Sequence, residues 1–250
     1  VEKGFTAIKF DIDNVDPACF ADAHHVGVGR KGWLQCQQQP ISNREMDRIL
    51  ELVGAVREAI GPHIDLALDC HWNYNPRDVI TLARHLEPFR LMWLEDPTPP
   101  DNVEALKRVT DASPVPICTG ENHYTRHGIR PLITEQAVDI VQPDIPKMGG
   151  LLEAKKVADL ADIYYIPVAA HNVCSPIGTV AACHTCASMR NFSVLEFHGQ
   201  DVEWWNEMLS GSGALIEDGY ITLPDGPGLG VELNEALASA HLCEDSTFFA

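Results

Sequence analysis

Short, mainly apolar runs recur along the chain, and each ends near a polar residue. They lie at 5–10, 64–68, 91–94, 115–118, 138–141, 165–170 and 192–195. Runs of this length are typical of parallel strands that are buried on both faces. Helix-like stretches separate them at 43–60, 76–86, 101–109, 151–161 and 177–189. The alternation predicts an α/β fold with a parallel sheet and right-handed crossovers.

Two architectures fit this alternation: an open, doubly wound sheet and a TIM-like barrel. An open sheet usually carries a glycine-rich phosphate-binding turn after an early strand, and the sequence has none there. In a barrel, the active-site residues follow the C-terminal ends of many strands, and the polar residues fall at those points. We therefore predict a barrel domain over 1–218, followed by a C-terminal segment over 219–250.

The composition excludes several classes of partner. The 250 residues carry a formal net charge of −18, which argues against nucleic acids and anionic membranes as partners. No run of 18 apolar residues and no signal-peptide pattern is visible, so we predict a cytoplasmic protein. The field of such an acidic chain repels a carboxylate substrate unless a local cation, such as a bound metal, attracts it.

Two further features need an interpretation. Residues 12–42 form a long connection, which in a compact domain is typical of a functional lid or of disorder. The eight cysteines show no framework of disulfides. Cys183 and Cys186 have CxxC spacing, but the pair stands alone, so we interpret it as one buried face of a helix.

Three acidic residues follow successive apolar runs at equal intervals. Glu95 comes 26 residues after Asp69, and Glu121 comes 26 residues after Glu95. Equal steps predict that the three carboxylates lie at equivalent heights on adjacent strands. They would repel one another unless a cation joins them, and ligands with oxygen donors only favour Mg2+.

Other strand ends carry groups suited to proton transfer. Asp144 and His171 follow consecutive runs, so Asp144 can accept a hydrogen bond from one ring nitrogen and leave the other to take a proton. Glu196 follows the last run, and a protonated carboxyl there can donate to a developing enolate. Lys9 stands at the end of the first run, where its cation can bind a carboxylate or an enolate oxygen.

His71 stands two residues after Asp69. In an extended segment, residues two apart share a face, which predicts that His71 lies near the metal and can protonate a leaving hydroxyl.

These residues stand in longer stretches with a recognisable order. The stretches are AIKFD, ALDCHW, WLEDPTPP, CTGENHY, VQPDIPKMGG, AAHN, VLEF and LPDGPGLGVEL. Together they span nearly the whole chain and resemble the mandelate racemase and muconate lactonizing enzyme branch of the enolase superfamily. The resemblance implies a modified (β/α)7β barrel with Asp69, Glu95 and Glu121 as Mg2+ ligands. It also implies that His171 and Asp144 form the catalytic base dyad and that Glu196 lies on the far side of the enolate.

Two departures narrow the expected reaction. Racemases of this branch carry Lys-x-Lys where this chain has Lys9 and Asp11, so the second base is absent and racemisation is disfavoured. The Asp-x-His ending at His71 resembles the acid-sugar dehydratases, such as galactonate dehydratase, in which the histidine is the general acid. We therefore expect Mg2+-dependent dehydration of an aldonate to a 2-keto-3-deoxy acid.

Alternatives remain open. They are a racemase, epimerase or cycloisomerase that uses the same metal, and a barrel without catalytic function. Family members also have an N-terminal α+β capping domain and an earlier barrel strand. The resemblance implies that this chain lacks both, that 219–250 packs towards the cap, and that the protein forms a homo-oligomer.

Overall fold

A parallel sheet forms the centre of the computed structural model, which describes residues 1–13, 40–199, 202–210 and 215–242. Its seven strands follow one another in space in the order of the chain. They are β1 (Ala7–Asp11), β2 (Asp65–Asp69), β3 (Trp93–Glu95), β4 (Ile117–Thr119), β5 (Ile140–Val141), β6 (Val168–Ala170) and β7 (Phe192–Leu195). Each strand pairs in parallel with the next. The expected parallel, TIM-like α/β architecture is confirmed, and each apolar run contains or overlaps a strand.

A helix follows each of the first six strands. The helices are α1 (Asn43–Ile60), α2 (Pro76–Leu86), α3 (Val103–Ala112), α4 (Thr125–Thr134), α5 (Leu151–Ile163) and α6 (Pro176–Ala187). A short hairpin of β8 (Leu209–Ser210) and β9 (Glu232–Leu233) and a last helix, α7 (Glu235–Ala240), come after β7. Five of these helices match the expected stretches, whereas α4, α7 and the hairpin were not expected.

Side-chain caps explain why the first two helices begin where they do. Ser42 accepts a hydrogen bond from the backbone N–H of Glu45 at the start of α1. Asn75 accepts from two backbone N–H groups of α2, and Pro76 occupies its first turn. Helix α4 was not predicted from the sequence, because Pro131 lies inside it and removes one helical hydrogen bond. Burial of its apolar face stabilises the helix nevertheless.

Side-chain alternation on the strands separates a core from a site-facing interior. On β2, Leu66 and Leu68 are fully buried in the main hydrophobic cluster, against the helices. Ala67 belongs to a second cluster, with Trp93, Cys118 and Ala169. Residues two apart on a strand share a face. Asp69 therefore points to the same interior side as Ala67.

The first and last strands flank a cavity of about 580 Å³. Ala7 and Ile8 of β1 line one side of it, and Val194 and Leu195 of β7 line another. Lys9 and Glu196 also line this space, so the cavity reaches the end of the sheet where the candidate site lies.

The structure describes the C-terminal segment and the cysteine pair of α6 more fully than the long connection after β1. Most of the 12–42 connection, expected to be a lid or disordered, lies outside the described residues. The C-terminal segment packs on α6, where the backbone carbonyl of Leu229 lies 3.0 Å from Nε2 of His184. On the same helix, Cys183 and Cys186 are buried free thiols, and burial raises their pKa values to about 11 and about 12. Among the described helices, none combines the length and apolar character that a membrane span requires.

Candidate active site at the carboxyl end of the sheet

The three predicted metal ligands lie at one end of the sheet but not at one height. Asp69 and Glu95 end β2 and β3 and lie opposite each other in register. The next strand places Cys118, not Glu121, opposite Glu95. Glu121 lies two residues beyond the end of β4, after Gly120. The expectation of equivalent heights is therefore wrong, because equal sequence spacing does not ensure equal register.

A partly buried lysine joins the acids of this site. Lys9 lies within β1, and its Nζ is 3.3 Å from Oδ2 of Asp69 and 2.7 Å from Oε1 of Glu196. The same ammonium contacts Glu95. Burial lowers the pKa of Lys9, but the three surrounding carboxylates outweigh it and hold the pKa well above its ordinary value. Lys9 is therefore a fixed cation among anions.

Glu95 is held from the interior side. Its side chain is fully buried, and the indole N–H of Trp93 donates to its Oε2 at 2.8 Å. Burial raises the pKa of Glu95 well above its ordinary value, although Lys9 opposes this rise. A desolvated carboxyl of this kind gains most from a cation nearby.

A fourth acid, Asp96, was not expected in the site. Its backbone is left-handed, with φ of 41°, and Thr119 donates to one oxygen of its buried carboxyl. Its other oxygen, Oδ2, is buried without a hydrogen-bond partner among the described residues. Oxygen atoms of Glu95, Asp96 and Glu121 all lie within 4.8 Å of one another. The only signal in the sequence is that Asp96 directly follows Glu95.

This donor set fits a hard divalent cation. All its candidate ligand atoms are carboxylate oxygens. Mg2+ prefers such ligands, whereas softer metals prefer nitrogen and sulfur. The buried, unpartnered oxygen of Asp96 is a further group that a nearby cation would stabilise. Asp69 adjoins the set, because its carboxyl also interacts with that of Glu95.

His171 lies between two carboxylates. Its Nδ1 is 2.7 Å from Oδ2 of Asp144, and its Nε2 is 2.6 Å from Oε2 of Glu121. The other oxygen of Asp144 accepts from the backbone N–H of Lys147 at 3.0 Å. Burial lowers the pKa of His171, but the hydrogen bonds with Asp144 and Glu121 raise it to about 10. Asp144 and His171 themselves form a parallel bridge beyond β5 and β6.

Glu196 directly follows β7 and is tied to the loop after β6. The backbone N–H of Asn172 donates to its Oε2 at 3.1 Å, and the Asn172 side chain donates to its carbonyl at 2.9 Å. Burial raises the pKa of Glu196, but Lys9 and His171 outweigh this and lower it below its ordinary value. These two neighbours favour the ionised form of Glu196, and the protonated carboxyl expected from the sequence stays a prediction.

His71 reaches the site by a turn, not by strand alternation. His71 and Trp72 have φ values of 43° and 59°, so the segment after Asp69 is left-handed and not extended. The expected position is nevertheless reached, because the backbone N–H of His71 donates to Oδ1 of Asp69 at 2.9 Å. The ring Nε2 then lies 3.5 Å from Oδ2 of Asp69.

Asp13 lies on the other side of the His71 ring and was not expected in the site. Its Oδ1 is 3.3 Å from Nδ1 of His71, and polar atoms of Asp11, Asp13 and His71 all lie within 4.8 Å of one another. Burial lowers the pKa of His71, but the hydrogen bond with Asp13 and the nearby carboxylates raise it to about 9.

Comparison with known proteins gives a consistent result. Residues 1–237 match the family described as Enolase C-terminal domain-like. A D-xylonate dehydratase from Haloferax volcanii is 42% identical over 99% of this chain. A D-galactarolactone cycloisomerase from Agrobacterium fabrum is 30% identical over 93% of this chain.

The solved structures agree with these relatives. A mandelate racemase/muconate lactonizing enzyme-like protein from Rubrobacter xylanophilus is 45% identical and superposes on the whole chain with a TM-score of 0.89. The chain spans 57% of the length of the D-xylonate dehydratase and 60% of this structure.

Proposed function

Because the chain belongs to the enolase C-terminal domain-like family, we propose that the protein dehydrates a sugar acid to a 2-keto-3-deoxy acid with the help of Mg2+. The observation that carries this proposal is the presence of two histidines at the acidic end of the sheet. His171 is paired with Asp144, and His71 borders Asp69. One histidine can take the proton next to the substrate carboxylate, and the other can give a proton to a leaving hydroxyl.

Asp69, Glu95 and Glu121 are the residues that we propose as the metal ligands, with Asp96 beside them. Bound there, Mg2+ would neutralise charge on the substrate carboxylate as the enediolate forms. Lys9 supports the same step, because its partly buried ammonium can bind an enediolate oxygen among the acids of the site. Glu196, as a carboxylate, keeps that ammonium in place.

His171 is the proposed base. Neutral His171 with its proton on Nδ1, directed at Asp144, would carry the lone pair for the substrate proton on Nε2. When the Cα–H bond breaks, the proton moves to Nε2, and the carboxylate of Asp144 stabilises the imidazolium. A single base on one face implies that one configuration at C2 is accepted.

His71 is the proposed general acid. As the C3–O bond breaks, the proton on Nε2 of His71 would move to the departing hydroxyl, which leaves as water. The enol that remains tautomerises to the 2-keto-3-deoxy acid. The likeness to the D-xylonate dehydratase, at 42% identity, supports this assignment.

A cycloisomerase is the second candidate, since one relative is a D-galactarolactone cycloisomerase. It would use the same base and metal ligands but release no water. Racemisation is less favoured, because Asp11 occupies the position of the second lysine. A barrel without catalytic function has no physical need for so many converging acids.

The (β/α)7β barrel remains our proposal for the complete fold. The cavity between β1 and β7 is where an additional parallel strand would join the two edges and close the sheet. A homo-oligomer also remains a prediction, which light scattering of the intact protein would check.

The test is a screen of the intact protein with Mg2+ against aldonates of both C2 configurations. Formation of a 2-keto acid is measured, with a chelator as control. We expect product from one stereochemical group only, and none when the metal is chelated. Absence of keto acid from every aldonate would refute the dehydratase. In that case, consumption of a sugar-acid lactone without loss of water would identify the cycloisomerase.

A further inference from the structure

Asp13 stands at a position that the sheet fixes. The β1–β2 ladder continues one residue past β1, because the backbone N–H of Ile12 donates to the carbonyl of Asp69 at 2.9 Å. The side chain of Ile12 is fully buried. The hydroxyl of Tyr74 donates to the Ile12 carbonyl at 3.1 Å. The backbone that leads into Asp13 is therefore held from both sides.

Both oxygens of the Asp13 carboxylate have partners. Oδ1 lies 3.3 Å from Nδ1 of His71, and Oδ2 accepts from Nδ2 of Asn73 at 3.1 Å. The same nitrogen of Asn73 also donates to the carbonyl of Cys70 at 3.1 Å. Asn73 is thus anchored to the backbone, and it sets the plane of the carboxylate that faces the imidazole.

The other side of the imidazole faces the metal ligands. Nε2 of His71 lies 3.5 Å from Oδ2 of Asp69. The left-handed turn that directs it there is fixed at two points. The His71 N–H donates to Asp69, and the Trp72 N–H donates to the carbonyl of Asp96 at 2.7 Å. These two backbone contacts hold the turn that directs the ring towards Asp69.

We propose that Asp13, held by Asn73, is the positioning residue of His71. By accepting from Nδ1–H, it keeps Nε2 as the nitrogen that delivers the proton to the leaving hydroxyl. This inference rests on the proposed dehydration. After the transfer, the new O–H bond belongs to water and the C–O bond is broken. Neutral His71 then retains its proton on Nδ1, against Asp13.

The same arrangement occurs a second time in the site. Asp144 accepts from Nδ1 of His171 and leaves Nε2 towards Glu121. Asp144 is in turn held by a backbone N–H, as Asp13 is held by Asn73. Each histidine therefore has its own aspartate, one pair beyond β1 and β2 and the other beyond β5 and β6.

The test compares two reactions of the intact protein in D2O, namely dehydration and exchange of the substrate α-proton. Asp13→Ala should slow dehydration about 10–100-fold, the usual cost of losing a group that orients a site residue. Exchange depends on His171 and should stay within about twofold, with KM little changed. The control is Asp65→Ala, which removes an exposed carboxylate at the opposite end of β2 and should leave the ratio of the two rates unchanged.

A charge-neutral variant sharpens the test. In Asp13→Asn, one amide oxygen cannot serve both His71 and Asn73, so dehydration should again slow.

A direct readout separates this inference from the proposed function. Nitrogen-15 NMR of neutral His71 should show the proton on Nδ1 in the wild type and a shift towards Nε2 in Asp13→Ala. An unchanged tautomer or an unchanged ratio of dehydration to exchange would overturn the role of Asp13. If the wild type neither exchanges nor dehydrates any aldonate, the proposed function fails, and the tautomer still decides the role of Asp13.

Discussion

Replacing Asp144 by Asn tests the pairing of Asp144 with His171, the proposed base, by changing a single atom. The Asn oxygen can still accept from the Lys147 N–H, as Oδ1 of Asp144 does at 3.0 Å. Its amide N–H₂ would then face Nδ1 of His171, where Oδ2 now lies at 2.7 Å. An amide there makes Nδ1 an acceptor and puts the imidazole proton on Nε2, the nitrogen that must take the substrate proton.

The expected loss follows from the bond that is removed. A hydrogen bond to a charged group contributes about 1.5–3 kcal/mol, which corresponds to a loss of about 10–150-fold in kcat. The hydrogen bond with Asp144 is also the foremost contact that raises the pKa of His171 to about 10. Asp144→Asn therefore lowers this pKa. Because the base acts in its neutral form, the rising limb of the pH–rate profile should move to lower pH.

The assay is exchange of the substrate α-proton in D2O, followed by NMR across the pH range. Lys147→Ala is the matched control, since its half-exposed ammonium lies 3.4 Å from the same carboxylate and exposed pairs contribute little. We expect its rates to stay close to the wild type. The reasoning would be refuted if folded Asp144→Asn exchanged at the wild-type rate with an unshifted profile.

Three further outcomes are expected. Glu95→Gln should weaken Mg2+ binding about 10–100-fold by calorimetry. The control, Glu104→Gln on the exposed side of α3, should not weaken it. Equal Mg2+ affinities of the two variants would remove Glu95 from the ligand set. Gly120→Ala should lower the free energy of unfolding in urea by about 1–3 kcal/mol. The reason is that its φ is 152° and a Cβ there would lie 2.9 Å from the Gln142 backbone. Unchanged stability would contradict this close approach. With chelator present, a raised pKa means that His171 stabilises the fold fully below pH 6.5 and loses this effect as pH rises towards about 10. The contribution of His171 to the unfolding free energy should therefore fall by up to about 5 kcal/mol over that range, and His171→Asn should flatten the curve.

The sequence predicted the strands well because their signal is local. Each buried run is apolar by itself, and the caps at Ser42 and Asn75 mark where α1 and α2 begin. Helix α4 was missed because Pro131 opposes it locally, while burial of its apolar face stabilises it. That packing cannot be read from a short window.

The site was harder to predict, because its geometry depends on how the chain leaves each strand. Equal spacing suggested equal heights, but the turn through Gly120 carries Glu121 beyond the register of Glu95. Strand alternation predicted that His71 lies beside Asp69, and it does. The cause is different, because a left-handed turn and not an extended segment brings it there. Asp13 and Asp96 carry no signal of their own beyond nearness to other acids, since only the folded chain brings them to their partners.

The left-handed turn at His71 and Trp72 sets a limit on how this protein can be stabilised. Non-glycine residues in this conformation cost about 1–2 kcal/mol each, and here hydrogen bonds to Asp69 and Asp96 hold them in it. Selection for heat resistance alone would therefore favour glycine at these two positions. The same replacement would delete the proposed acid, so a screen for robustness needs an activity criterion at this turn above all others.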